Sequence, residues 1–377
     1  MRIVHVHATY WPVIGGLERV VEKLSNRMVK LGHEVCVVTS TYGSKGRPKE
    51  EVINGVCIHR VKSLKLYYKA TIYPIEFPTK IFREADVVHA HHQSLFVTKM
   101  IEKAHRQGTK IIIHIMSVDA LDDYPNPIVR IFGSLFYRSL LKRTLKASDL
   151  KLVKSYRDME ILKNKYGVEA QYIPDGVDEE FLEIPPMPGS FRERLGLQDP
   201  FVIYIGRLHK LKGIHVLIKA MSIVIKEYPR LKAVIVGSGN QKPYRELAKK
   251  LGVEKNIVFT GYLDEETKIS ALDASLALVL PSICNYAEAF SIVTSEAWAR
   301  GKPVIASAVG EMPYRIKHLV NGLVVPPRDP KALAEAIILI ANDEKLAHIL
   351  GNEGRKNVVT WSEIVKKLID IYKKAES

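Results

Sequence analysis

At 377 residues, with 47% hydrophobic and 26% charged side chains, the chain is too long for one ordinary core and too apolar to be disordered, so two soluble globular domains are expected. A formal net charge of +15, spread over both halves, favours anionic partners: phosphorylated small molecules, nucleic acid or an acidic membrane face. No run reaches the roughly 18 apolar residues of a membrane span, "MRIVHVHATYWP" lacks the apolar stretch of a signal peptide, and Cys36, Cys57 and Cys284 have no metal-type spacing. Reduced thiols in a cytoplasmic protein are the expectation.

Short β-branched runs alternate with longer amphipathic ones, the signature of βαβ units and parallel sheets. In the first half, strands are predicted at 2–8, 34–40, 55–61, 85–91, 110–116, 149–155 and 170–175. A helix is predicted over 17–31, where Val20, Val21, Leu24, Met28 and Leu31 keep a 3.6-residue period. "FLEIPPMPGSFRERLGL" (181–197) breaks the rhythm with prolines and reads as a hinge. A second series follows at 201–206, 232–239, 256–262, 276–282, 302–307 and 322–327. The expected architecture is therefore α/β, two doubly wound domains over 1–183 and 197–359. The amphipathic 360–377 is free to pack back on either. In such sheets ligands sit beyond the carboxyl ends of the strands, so two facing domains would hold a cleft.

Three stretches carry candidate chemistry. "YWPVIGGLERVVEKL" (10–24) places Gly15-Gly16 between a strand and a helix, where backbone amides approach an anion closely; a plain turn fits as well. It is no dinucleotide fingerprint, because G-x-G-x-x-G is missing. "GRLHKLKG" (206–213) sets Arg207 and Lys212 at a strand's carboxyl end, suited to a diphosphate. "EAFSIVTSEAWARG" (288–301) presents Glu288 before a helix and Glu296 inside it, closed by Gly301 with Pro303 beyond. Acidic groups near a helix start also simply complement its dipole. In the functional alternative, amides near Phe290 and Ser291 take a phosphate while the carboxylates accept hydrogen bonds from sugar hydroxyls.

Taken in order, Gly15-Gly16, "IPDGVD" (173–178), "GRLHKLKG", "VGSGN" (236–240), "FTGYL" (259–263), the Glu288-x7-Glu296 stretch and "NGLVVPPRDP" (321–330) resemble the retaining glycosyltransferases of family 4, with their GT-B fold. The resemblance implies hexosyl transfer from a nucleotide-diphosphate sugar, UDP- or GDP-linked, to a glycan, lipid-linked or small hydroxyl acceptor. It implies that Gly15, Gly16 and Gly237 line the donor site, that Arg207 and Lys212 neutralise the diphosphate and leaving group, and that Glu296 holds the ribose. Glu288 and the backbone of Ala289, Phe290, Ser291 and Ile292 would hold the sugar, Tyr262 and Leu263 would line the base pocket, and His114 would face the reaction centre unless it is a satisfied core histidine. No cofactor and no metal are expected; no Asp-x-Asp triplet occurs, and "HAHH" (89–92) reads as structural or close to the acceptor. The chain departs from the family where Ala289 and Ser291 replace glycines, where "GEMPY" places Glu311 and Tyr314, and where Asp175 replaces an asparagine.

The acceptor side is expected in the first domain, where 62–83 and 128–146 interleave basic and aromatic residues. An interfacial helix on an anionic membrane and a core-facing helix with a solvated basic side both fit the second stretch. A nucleotide-sugar epimerase or hydrolase of the same fold is the alternative enzyme. A nucleic-acid-binding module accounts for the charge alone, and no reading motif supports it.

Overall fold

The alternating runs resolve, in a computed structural model describing residues 1–13, 15–66 and 71–376, into two large, predominantly parallel sheets and one two-stranded antiparallel ribbon. Contacts divide the chain into Met1–Asp175 with Trp361–Ser377, and Gly176–Thr360.

The first unit contains β1 (Arg2–Val6), β2 (Glu34–Ser40), β3 (Glu50–Ile53), β4 (Val56–Val61), β5 (Ser63–Lys65), β6 (Ile72–Pro74), β7 (Val87–His91), β8 (Ile111–Ile115), β9 (Leu150–Val153) and β10 (Gln171–Tyr172). Eight of these form one sheet in the order β10-β9-β8-β7-β1-β2-β4-β3, parallel except for β3. Its central strands are near-continuous apolar runs because helices cover both faces; Ile3, Val4, Val6, Val88, Ile111 and Ile113 are fully buried. The helix Gly16–Lys30 turns Val20, Val21, Leu24 and Met28 into the core as the period required, while Leu31 lies at its exposed end. The sequence pattern did not reveal β3, β5 or β6. Their half-exposed residues lack a clear two-residue alternation, and the partner strand supplies the order. Of the basic 62–83 stretch, residues 67–70 lie outside the described residues.

The second unit contains β11 (Phe201–Ile205), β12 (Lys232–Val236), β13 (Ile257–Gly261), β14 (Leu278–Leu280), β15 (Val304–Ser307) and β16 (Leu323–Val325), all parallel in the order β13-β12-β11-β14-β15-β16. Chain order reverses between β11 and β14, so the topological switch point lies at their carboxyl ends.

The proline-rich segment is no free hinge. Phe181 and Phe191 are buried in the second core. The Arg300 guanidinium donates to the Phe181 and Ile184 carbonyls at 2.9 and 2.8 Å while paired with Asp273 at 2.7 Å. Pro188 opens the helix Pro188–Leu195, where a missing N–H costs nothing. The boundary therefore falls at 175/176, not in 184–196. The terminal helix Trp361–Glu376 packs on the first unit against Gly16–Lys30 and β7, with Trp361, Ile364, Leu368 and Ile371 buried.

Candidate active site

After β11 the chain runs through Gly206 and Arg207 to a short 3-10 turn, Lys210–Lys212, closed by Gly213. Gly213 has φ 71°, and a Cβ there would strike the Pro281 carbonyl oxygen that follows β14. This glycine is what lets the two switch-point loops lie against each other. Their contact carries Lys212 to the second loop: its Nζ donates to the Ala287 carbonyl at 2.7 Å and to Glu288 Oε1 at 2.8 Å. Glu288 is 2% exposed and also accepts from Ser282 Oγ at 2.6 Å. Its carbonyl takes the Glu311 amide at 3.0 Å, and a side chain at Gly310 (φ 57°) would collide with it. Asn285 Oδ1 receives the Gly310 amide at 2.7 Å. Glu288 is thus fixed by three separate segments. Arg207 is exposed and makes no ion pair among the described residues.

The helix Ile292–Ala299 follows, shorter than the three turns the pattern suggested, with Glu288 before it and Glu296 within it. Ser291 caps it at φ 65°, the left-handed region that glycine favours. The backbone shape of a glycine is therefore kept with a serine. Thr294 Oγ1 donates to Ser291 Oγ at 3.1 Å, and Arg315 donates to the Phe290 and Ser291 carbonyls at 2.6 and 3.0 Å. The Arg315 guanidinium also lies 3.9 Å from the centre of the buried Phe290 ring. First-turn amides of any helix lack intrahelical partners and face an anion favourably.

Glu296 is 9% exposed and accepts from Lys268 Nζ at 2.8 Å; Lys268 also pairs with Glu265 at 2.7 Å. Burial pushes the Glu296 carboxyl above its usual range despite the ammonium beside it. Burial works to lower Lys268, but Glu296 and Glu265 outweigh it and raise it. Tyr204 donates to the Arg207 carbonyl at 2.9 Å, and burial raises its hydroxyl well above the usual phenol range.

Of the other residues singled out, Tyr262 is exposed and Leu263 packs partly on the core. A Cβ at Gly237 (φ 137°) would meet the Gly206 carbonyl, so this glycine permits strand-end packing. Gly15, Gly16 and His114 belong to the first unit. A Cβ at Gly16 meets open space, whereas Glu18, bonded to Thr9 at 2.6 Å, crowds Gly15 and already places a carboxylate in that helix's first turn. His114 is 3% exposed and its Nε2 lies 3.1 Å from the Ile173 carbonyl; burial holds it down to about 3. Its ring is therefore held against a backbone carbonyl in the first unit. Asp175 takes both its hydrogen bonds from the buried Lys154, at 2.7 and 2.8 Å, a charge an asparagine would leave uncompensated.

Among the described residues two groups bring three metal-type ligand atoms within 4.8 Å: His5, His89 and His91, and Asp178, Glu179 and Glu180. In the first, His5 Nδ1 is 2.9 Å from His91 Nε2 and His89 Nδ1 is 2.6 Å from the Tyr372 hydroxyl, a neutral buried network with no carboxylate in it. Lys268, Ser282, Asn285 and Arg315 escaped sequence reasoning: three act through partners 25 or more residues away, and Ser282 reaches Glu288 across an irregular loop that no periodic pattern marks.

Two doubly wound units give the chain the GT-B fold. Residues 190–357 match the model of glycosyl transferases group 1, and residues 14–181 match that of glycosyltransferase family 4. The D-rhamnosyltransferase WbpZ of Pseudomonas aeruginosa is 30% identical over 355 residues, covering 89% of this chain and 86% of its own. Sucrose-phosphate synthase of Thermosynechococcus elongatus superposes with a TM-score of 0.80 at 23% identity, over 99% of this chain and 98% of its own. Anabaena HepE in complex with UDP-glucose gives 0.75 at 18% identity, over 99% and 100%. The chain belongs to glycosyltransferase family 4. No helix among the described residues is long and apolar enough to cross a membrane.

Proposed function

We propose that this glycosyltransferase moves a hexosyl unit from a UDP- or GDP-sugar to a hydroxyl acceptor with retention of anomeric configuration. The observation that carries this is the Lys212–Glu288 brace at the β11/β14 switch point, beside the first turn of Ile292–Ala299. Arg207 and Lys212 meet the diphosphate and stabilise the charge that builds on the leaving group. The amides of Ala289, Phe290, Ser291 and Ile292, with Glu288, hold the sugar; Glu296, fixed by Lys268, accepts from the ribose hydroxyls; Tyr262 and Leu263 border the base. The Gly16 amide, at the start of the helix Gly16–Lys30, is assigned to an anionic group on the first unit, and His114 acts as a positioning residue. The donor phosphate takes part in deprotonating the acceptor, so no metal is assigned a role. HepE's complex with UDP-glucose favours uridine.

Thermal-shift measurement with UDP-, GDP- and ADP-sugars tests the base, followed by product anomer analysis with simple acceptors. A donor-specific stabilisation and a retained anomer are expected. Donor consumption with no acceptor product would assign the site to a hydrolase or epimerase.

Peripheral attachment to an anionic membrane, which would bring a lipid-linked acceptor within reach, is part of the same reading. Ile128, Val129, Ile131, Phe132 and Leu135 are exposed on a π-helical turn, Val129–Gly133, and the start of the helix Ser134–Lys146. Arg130 and Lys142 are exposed with them, whereas Arg138 and Arg143 are engaged by Asp119, Asp122 and Glu102. Apolar groups flanked by exposed cations suit a headgroup layer. Co-sedimentation with anionic vesicles should exceed that with neutral ones and fall in Phe132→Ser; equal binding to both would overturn the assignment.

A further inference from the structure

One row of side chains across the first sheet is chemically unlike the rest. Register places Val4 on β1, Cys36 on β2, Cys57 on β4 and Val52 on β3 side by side. Exposure rises along that row: Val4 is fully buried, the two cysteines are half-buried and Val52 is 70% exposed. The Cys36 Sγ–H donates to Cys57 Sγ at 2.9 Å, against about 2.05 Å for a covalent S–S bond. Neighbouring strands lie about 4.8 Å apart, inside the Cα separation a disulfide spans, about 4.4–6.8 Å. With the sulfurs already in contact, the pair lies within bridging reach.

We propose that Cys36 and Cys57 form a reversible disulfide site, closed by exchange with a low-molecular-weight disulfide and opened by a thiol. The two sulfurs have distinct parts. The hydrogen bond from Cys36 pulls the Cys57 thiol down to about 7, with the positive charge of Arg2 helping. Its hydrogen bond to Cys57 raises the Cys36 thiol, and burial adds to this. Cys57, on the exposed side of the row, is the attacking thiolate. It attacks one sulfur of R–S–S–R, forming Cys57–S–S–R and expelling RS⁻. Cys36 then loses its proton and attacks Cys57 Sγ, expelling the second RS⁻. Two S–H bonds are lost and one S–S bond forms in the protein, while the small disulfide is reduced to two thiols. The bridge ties β2 to β4 and leaves the residues of the second unit untouched. Cys284 is fully buried and stays out of the exchange.

The test equilibrates the full chain at graded ratios of reduced to oxidised glutathione, followed by acid quench, alkylation and peptide mapping. The expected result is a single Cys36–Cys57 linked peptide pair, an intact mass lower by two hydrogens, and full reversal by dithiothreitol. Cys36→Ser should trap glutathione on Cys57, and Cys57→Ser should leave Cys36 reacting at least about tenfold more slowly. Wild-type protein that keeps glutathione on Cys57, or whose pair stays reduced in oxidised glutathione alone, would overturn the proposal. Differential alkylation of the unmutated chain reads out the same pairing without any variant.

Discussion

Lys212 and Glu288, 76 residues apart in the chain, meet at 2.8 Å across the two loops of a sheet's switch point. Glu288 is the more buried partner, so the pair is asymmetric: removing the lysine strands a carboxylate, while removing both charges does not. Lys212→Met should lower turnover about 100-fold and cost about 1–3 kcal/mol of stability. Glu288→Gln added to it should recover part of that stability and none of the activity. Urea unfolding of the two single variants and the double variant measures the coupling.

Gly213 and Gly16 separate packing from binding. Gly213→Ala forces a side chain at φ 71° into the Pro281 carbonyl and should cost at least about 2 kcal/mol. Gly16→Ala meets open space and should fold as well as the wild type while losing about tenfold in activity through a crowded amide. Melting curves paired with initial rates would check both; a normal rate in Gly16→Ala would remove that residue from the site.

Ser291 stands at φ 65°, where an L side chain carries strain of about 1–2 kcal/mol. Ser291→Gly should therefore unfold no lower than the wild type and keep its donor affinity. Ser291→Val, β-branched in the same conformation, should unfold well below it. Melting temperatures of both variants decide this.

The first unit should be acid-labile. Burial holds His5, His92 and His114 down to about 3 and lowers His7, His89 and His91 in the same sense. An unfolded chain binds protons near pH 6.5 that the folded unit refuses, so stability is full above about 6.5 and falls as pH drops towards 3. Each such histidine steepens the fall by up to about 1.4 kcal/mol per pH unit. Glu296 in the second unit acts oppositely: its raised pKa contributes stability below about 4.5, lost as pH rises through the folded value. Hydrogen exchange at pH 7.5 and 5.0 should show protection lost in β1, β7 and β8 before β11 and β14.

Much of the architecture was legible because strands buried on both faces leave unbroken β-branched runs, as in "RIVHV" and "FVIYI". The same pattern misled at 181–197, where prolines suggested a linker although Phe181 and Phe191 fill a core. Within the site, the spacing of Glu288 and Glu296 was visible, as was the cation pair at 207 and 212. The brace from Ser282 and the Lys268 partner of Glu296 were not, nor was the Arg315 clamp on the Phe290–Ser291 turn, because polar pairing leaves no periodic trace.

By itself, the sequence determined two series of alternating strands and helices and the residues standing at the strand ends. Apolar periodicity is local, and each segment declares it alone. Only the tertiary structure decided the strand order that makes β11 and β14 neighbours, and with it the meeting of Lys212 with Glu288. It also decided that His114 is buried against the Ile173 carbonyl and that Cys36 faces Cys57. Those facts rest on contacts between residues far apart in the chain, whose energy depends on distance and burial that no local pattern encodes.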